Sequence, residues 1–430
     1  MNSCLRILGT MLISSLLLTA CSADKPIQLN RSTPVEIQEE EGQTLTIVNP
    51  ESIEPTIKSD QSAKDGKKYQ IQTRLTDFRL ISPTTGLAWG STRNELRLYR
   101  TEDNGKTWTN ISPSSSVLFP YNPEFGRDLF FVNSNQGWII RNSTTSSEAI
   151  VLRTGDGGIT WKMASLPDSA RVVSIFFLDA EQGWIVTEGD FRSSSEAKAI
   201  YSTTDGGATW KKIMSTPIIA SEASSQANKL PKVGVVSGMT FTDKNHGFIT
   251  VLESGQPSLY VTTSSGTAWS KAEGWFNSSK FTTCTRFSVE SPEFFRSNNL
   301  HGWVPFGCVS DDSIKYQGYF TSDGGASWSF KPFAVPWQKG ESSALATAFL
   351  NRMEGWFIHG SSVYHTEDQG ENWVQLPKST KLTEIVAEYP QVLKVQFYNS
   401  QIGWLLVGQD DNNRSLLMQT IDGGVTWKVL

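Results

Sequence analysis

The chain has 430 residues, 38 Lys and Arg against 43 Asp and Glu for a net charge of −5, and 38 % apolar residues. That composition builds a sizeable core and excludes a disordered chain. A mildly acidic sequence with no basic block also excludes nucleic-acid binding, which needs concentrated Lys and Arg. The unusual number is 15 Trp beside 7 Met and 4 His, which points to a structural position that recurs.

The N-terminus carries one basic residue, Arg6, then an apolar run from Ile7 to Leu18, then Leu18-Thr19-Ala20-Cys21. A charged start, a short apolar stretch and small residues at a cut describe a secretory signal. The run is too short to span a hydrocarbon core of ~30 Å comfortably. With Cys directly after the small residue, the segment resembles a bacterial lipoprotein signal. The resemblance implies that residues 1–20 are removed and that Cys21 is acylated, which holds the protein on the extracytoplasmic side of a membrane in the cell envelope. Residues 21–68 then read as a flexible tether. They carry Pro26, Pro34, Pro50 and Pro55, an acidic patch from Glu36 to Glu41, and a polar run from Lys58 to Gly66. Such segments bury too little apolar surface to offset the entropy of ordering. Gln43 to Val48 alternates like a strand and is expected to dock on the body, with the edge of the last repeat as one place for it.

From residue 69 to 430 one unit recurs, and this decides the fold class. Its most visible piece is T-x-D-x-G-x-T-W, first from Thr101 to Trp108. It returns at Thr154–Trp161, Thr203–Trp210, Thr321–Trp328, Thr366–Trp373 and Thr420–Trp427, with a decayed copy at Thr262–Trp269. The Trp-to-Trp intervals are 53, 49, 59, 59, 45 and 54 residues. An alternating strand precedes each copy, for example Leu96-Arg97-Leu98-Tyr99. Earlier in each unit lies a Gly-aromatic turn such as Gly137-Trp138 or Gly403-Trp404, and before that another strand such as Val172 to Phe177. The unit is therefore strand, Gly-aromatic turn, strand, strand, D-x-G turn, strand.

Four antiparallel strands joined by short turns form one blade of a β-propeller, which buries its faces only by stacking on neighbours. Seven units predict an all-β, seven-bladed propeller of four-stranded antiparallel blades, each unit owning its own strands. Thirteen of the 15 Trp fall in the two repeated turns and are read as packing residues. In the D-x-G turn Asp bonds backbone N–H groups and Gly supplies a positive φ. Asp103, Asp156, Asp205, Asp323, Asp368 and Asp422 hold this place, and Ser264 keeps the oxygen without the charge, so the role is structural rather than catalytic.

These turns resemble the Asp-box, or BNR, repeat, and with the Gly-Trp turns the seven units resemble the photosystem II stability/assembly factor family. The resemblance covers about 360 residues. It implies a non-enzymatic propeller on the far side of a membrane that helps assemble a membrane complex. The alternative is a carbohydrate-binding or carbohydrate-cleaving propeller of the sialidase kind. Against it, no Arg-Ile-Pro element occurs in the chain, and the acidic pairs Asp311-Asp312 and Asp410-Asp411 sit in polar loops. The four His show no metal-ligand spacing, and no phosphate-binding loop or nucleophile elbow occurs, so neither metal nor cofactor is expected.

The two repeated turns share one face, the turn face. The inter-blade links and the remaining loops share the other, the link face, where variable loops on a rigid scaffold place binding. Trp275 beside Phe276, and Trp337 near Phe333, lie in those links; they either lid the rim of the core or are candidate aromatic anchors for a protein or sugar. Arg74, Arg127, Arg171, Lys232, Arg286 and Lys394 recur near the starts of the inner strands and are candidates to ring the axis for an acidic partner. Cys284 and Cys308 are a candidate disulfide in one blade, although a hairpin centred near Asn299 would set position 308 opposite 290 rather than 284.

Overall fold

The structure, a computed structural model, describes residues 44–45 and 73–430 apart from 114–118, 120–121, 143–148, 167–169, 190–195, 219–227, 297, 340–346 and 411–413. Cys21, the acidic patch and Asp411 lie outside the described residues. Seven antiparallel sheets succeed one another, each containing four strands consecutive in the chain. In blade 1 these are Leu75–Leu80, Gly86–Thr92, Glu95–Thr101 and Thr109–Asn110. Blades 2 to 7 repeat the pattern over 129–166, 171–217, 235–271, 286–332, 347–375 and 391–429. The chain is a seven-bladed β-propeller.

The sequence pattern explains the strands. In the third strand of blade 1, Leu96 and Leu98 are buried while Arg97 and Tyr99 are half-exposed, the two-residue period of a pleated sheet. The second strands are sandwiched between neighbouring blades, so Gly403–Gly408 is buried at every position.

Each turn of the T-x-D type is a closed hydrogen-bond unit. In blade 2 the Thr154 hydroxyl donates to Asp156 Oδ1 at 2.8 Å and accepts from the Gly158 amide at 2.8 Å. Asp156 then accepts from the Thr160 amide at 2.9 Å and the Thr160 hydroxyl at 2.6 Å. In blade 4 the Ser264 hydroxyl accepts from the Ala268 amide at 3.1 Å and lies 3.4 Å from the Thr262 hydroxyl, so the turn keeps its bonds without the charge. Hydrogen bonds to the ionised form lower a carboxyl pKa. Asp103 is held down at about 2, chiefly by the Thr107 hydroxyl and amide. At Asp156 burial pushes upward, but the bonds from Thr160 and Thr154 outweigh it and the net shift is downward.

A carboxyl lowered in the folded state takes up protons more readily in the unfolded chain, so its stabilisation is complete above the unfolded pKa of ~4 and disappears as pH falls through the folded value. Replacing Asp156 with Ala is therefore expected to cost about 1 kcal/mol at neutral pH. Melting temperatures measured across pH should show the gap between wild type and variant narrowing as pH falls below ~4. A gap that is constant through that window would contradict the role of the ionised Asp.

The tryptophans of the Gly-Trp turns join one blade to the next. Trp138 Nε1 donates to the Gly206 carbonyl at 2.8 Å, Trp184 to Ser265 at 3.0 Å, and Trp356 to Gly423 at 2.9 Å. In all three the acceptor is the residue after the turn Asp or Ser of the following blade. The same indoles stack on the Phe ending the next inner strand, with Trp138–Phe177 at 3.5 Å, Trp184–Phe241 at 3.7 Å and Trp356–Phe397 at 3.8 Å between ring centroids.

Blade 7 meets blade 1 without a shared strand among the described residues. Side chains close the ring instead. Lys394 Nζ lies 2.6 Å from Asp77, Gln396 accepts from the Leu80 amide at 2.8 Å, and Gln419 donates to the Asn104 carbonyl at 2.7 Å. Thr44–Leu45 pairs antiparallel with the outer strand of blade 2, Thr44 opposite Lys162. This corrects the expected place at the last blade, whose outer strand is only the two residues Lys428–Val429, whereas blade 2 offers the six-residue Trp161–Leu166.

Blade 5 departs from the predicted register. Its inner strand is interrupted between Val289 and Glu293, and Cys308 lies opposite Phe287, not position 290. That shift brings Cys284 within reach, and the Cys284 and Cys308 sulfurs are bonded, with Cα atoms 5.3 Å apart. An unforeseen helix, Thr380–Glu388, fills the link between blades 6 and 7. Ser379 caps it by accepting from the Leu382 amide, and Leu382 and Ile385 are its buried face.

Candidate functional site

The inner strands bring charge of both signs to the axis. Besides pairing with Asp77, Lys394 donates to the Phe78 carbonyl at 2.9 Å. Arg127 lies 2.8 Å from both Glu124 and Asp128. Glu290 of blade 5 shares this field with Glu124, Glu293, Lys394 and Asp77 from other inner segments; burial first, then the Glu124 and Glu293 charges, push its carboxyl up to about 7. Arg296, at the turn end of the blade 5 inner strand, donates to the Ile81 carbonyl of blade 1 at 2.8 Å and lies over Tyr398 of blade 7. It thus bridges the central opening near the turn face.

The six basic candidates therefore do not make a ring of one sign. Lys394 and Arg127 are committed to carboxylates, and Lys232 donates to the Ile218 carbonyl at 3.2 Å in the link before blade 4. Arg171 and Arg286 are exposed at the starts of their strands, and Arg74 is half-buried. Sequence offsets miss the acidic partners because the inner strands of blades 1, 3, 4 and 7 each carry a bulge near their start, which resets which residue faces which.

The aromatic candidates divide. Phe333 is 1 % exposed and packs on Phe349 at 5.4 Å, and Trp275 is 9 % exposed with its ring 4.6 Å from Tyr319. Phe276 lies 5.1 Å from Phe287 and 5.4 Å from Phe281. These three are packing residues, the rim-covering reading of the two that the sequence allows: the links fold back and close the rim of the core. Trp337 alone of the four remains outward, 38 % exposed. Asp311 and Asp312 form the tip of the hairpin between the second and third strands of blade 5. Among the described residues no group of three or more His, Cys, Asp or Glu side chains converges as metal ligands would.

A concavity on the turn face, between blades 6 and 7, was not foreseen. It encloses about 540 Å³, and Trp356, Leu376 and Val425 are among the residues that line it. Glu354, Glu367 and Asp422 also line it, as does His365, whose Nε2 lies 3.4 Å from Glu354 Oε1. Ser400 donates to the other Glu354 oxygen at 3.0 Å. Burial pushes the Asp422 carboxyl up, but the bonds from Thr426 and Thr420 outweigh it and hold it below the usual carboxylate range. Met353 and Ile421 stand at or beside its rim, 42 % and 59 % exposed. The groove is thus anionic with an apolar border, and among the described residues no Lys or Arg lines it. Only the folded ring brings its two walls together, so no linear motif announces it.

Comparison with known proteins agrees on the architecture. The family described as "Sortilin, neurotensin receptor 3" matches residues 96–229. No curated protein matches the chain. Among solved structures, one described as YCF48 bound to D1 peptide is 18 % identical with a TM-score of 0.49, over 81 % of this chain and 94 % of that one. The GH74 xyloglucanase from Xanthomonas campestris is 14 % identical with a TM-score of 0.50, over 83 % of this chain and 54 % of that one. A PL25 ulvan lyase is 8 % identical with a TM-score of 0.48, over 81 % and 92 %. At such identities the likeness is one of fold, and the fold hosts unrelated functions.

Proposed function

We propose that the protein is a non-enzymatic binding scaffold for a protein partner, held at the extracytoplasmic surface of a membrane by acylated Cys21. The observation that carries the reading is the groove between blades 6 and 7. It is a preformed anionic concavity of about 540 Å³ with exposed Met353 and Ile421 beside it, on a rigid disc. A concave polar pocket with apolar residues at its edge suits a protruding segment of another protein. A tether of 48 residues, 21–68, behaving as a coil would let the disc range roughly 40 Å from its anchor. That range favours a partner in or beside the same membrane, and assembly of an envelope complex is the role that fits.

Comparing wild type with Cys21→Ala tests both halves. Acylation contributes about 0.8 kcal/mol per buried CH₂, which nothing in the tether replaces. Wild type is expected to enter the detergent phase and to co-isolate a membrane protein. The variant is expected to stay aqueous or unprocessed and to recover less of that partner. Partitioning of the processed variant into detergent would overturn the anchor. Failure of wild type to retain any protein would overturn the scaffold.

A further inference from the structure

We infer that the groove between blades 6 and 7 is a socket for an arginine side chain presented by the partner. The inference rests on the protein-binding reading and names the chemistry that the partner brings.

The propeller contains a filled version of the same groove. Between blades 1 and 2, Arg100 precedes the Thr-x-Asp turn and reaches across the blade boundary. Its Nη1 donates to the Gly157 carbonyl at 2.9 Å and approaches the Ser134 carbonyl at 3.4 Å, while Nη2 lies 3.4 Å from Glu102. The guanidinium occupies the space so fully that a Cβ at Gly157 would collide with it.

The repeat fixes the corresponding positions between blades 6 and 7. Thr101-Glu102-Asp103 aligns with Thr366-Glu367-Asp368, so Glu367 stands where Glu102 does. Ser134 aligns with Ser400, and Gly157 with Gly423. Their backbone geometry agrees: a Cβ built on Gly157 lies 2.8 Å from the Ser134 carbonyl oxygen, and one on Gly423 lies 2.8 Å from that of Ser400. Floor residues correspond as well, Ile111 with Leu376 beneath Gly158 and Gly424.

Three positions differ, and at one of them Trp356 stands where blade 1 has Leu87, its indole donating to the Gly423 carbonyl as Arg100 donates to that of Gly157. Where blade 1 has Arg100, blade 6 has His365, which is shorter and lies beside Glu354 with its ring 4.9 Å from Trp356. Glu354 itself replaces the neutral Thr85 of blade 1. The second groove therefore keeps both carbonyls and the carboxylate, adds another carboxylate, and lacks the cation. Guanidinium suits this set better than ammonium, because its planar fork can address carbonyl and carboxylate acceptors together. The Gly423 carbonyl already accepts from Trp356 Nε1 and has a second lone pair for the incoming donor.

The test is fluorescence anisotropy at physiological salt, using the full mature chain in detergent micelles and a fluorescein-labelled Leu-Arg-Leu tripeptide. Matched peptides carry lysine or neutral citrulline in place of arginine. Saturable binding is expected for arginine, weaker binding for lysine, and about tenfold weaker binding or more for citrulline. His365→Arg should refill the groove from within, raising the melting temperature while abolishing peptide binding. Equal affinity for the arginine and citrulline peptides, no saturation, or wild-type peptide binding by His365→Arg would overturn the inference. Should that variant fail to fold, Glu367→Gln decides, with weakened arginine binding expected and unchanged affinity contradicting it. A failed peptide test alongside intact recovery of a membrane partner would remove the socket and leave the scaffold standing.

Discussion

Trp184→Ala is expected to lower the stability of the propeller by about 3–5 kcal/mol. The indole is fully buried, stacks on Phe241 of the next blade, and donates to the Ser265 carbonyl. Truncation removes the apolar burial and leaves a cavity between two rigid sheets, each held by its own ladder of hydrogen bonds and poorly able to collapse. It also removes the hydrogen bond to the Ser265 carbonyl. Trp184→Phe separates the two effects. Phe248 is the natural equivalent in blade 4 and packs on Phe294 at 5.3 Å, so an aromatic ring fits this place without an N–H. That variant is expected to lose only about 1 kcal/mol or somewhat more. Urea unfolding at equilibrium measures both. A loss below about 1 kcal/mol for the alanine variant would mean that the Trp contacts do not hold the blades together.

Removing the Cys284–Cys308 bond, with both residues changed to Ala, is expected to cost about 3 kcal/mol. The bond closes a loop with a sequence separation of 24 and ties the link entering blade 5 to that blade's second strand. Its effect falls mainly on the unfolded chain, which regains freedom when the loop opens. Cys308 is also buried in one cluster with Trp275, Phe281, Phe306 and Tyr319, so the link that covers the rim loses its fastening there. Reductant gives an independent check. It should lower the melting temperature of wild type and leave the double variant unchanged. A double variant as stable as oxidised wild type would contradict the account.

The blades are legible in the sequence because a propeller is one local unit written seven times. The Gly-Trp turn, the Thr-x-Asp turn and the alternation between them are each set by contacts within a few residues. What escapes is whatever depends on two units meeting. The pairing of Lys394 with Asp77 joins residues 317 apart, and the bulges that align them have no sequence mark. Trp275 and Phe333 leave two readings open in the sequence, because an aromatic residue in a link looks the same whether the link projects or folds back over the core. The groove between blades 6 and 7 stays hidden for a related reason. His365 and Glu354 are unremarkable in their own unit and acquire meaning only against Ser400 and Gly423 of the next.

A photoreactive amino acid placed at Met353, on the rim of the groove, tests the scaffold most directly. The full chain, irradiated in the cells that express it, is expected to form a discrete adduct with another protein, and the adduct should be lost when Ile421→Asp makes the border polar. The contradicting result is a correctly folded protein that yields no protein adduct at this position.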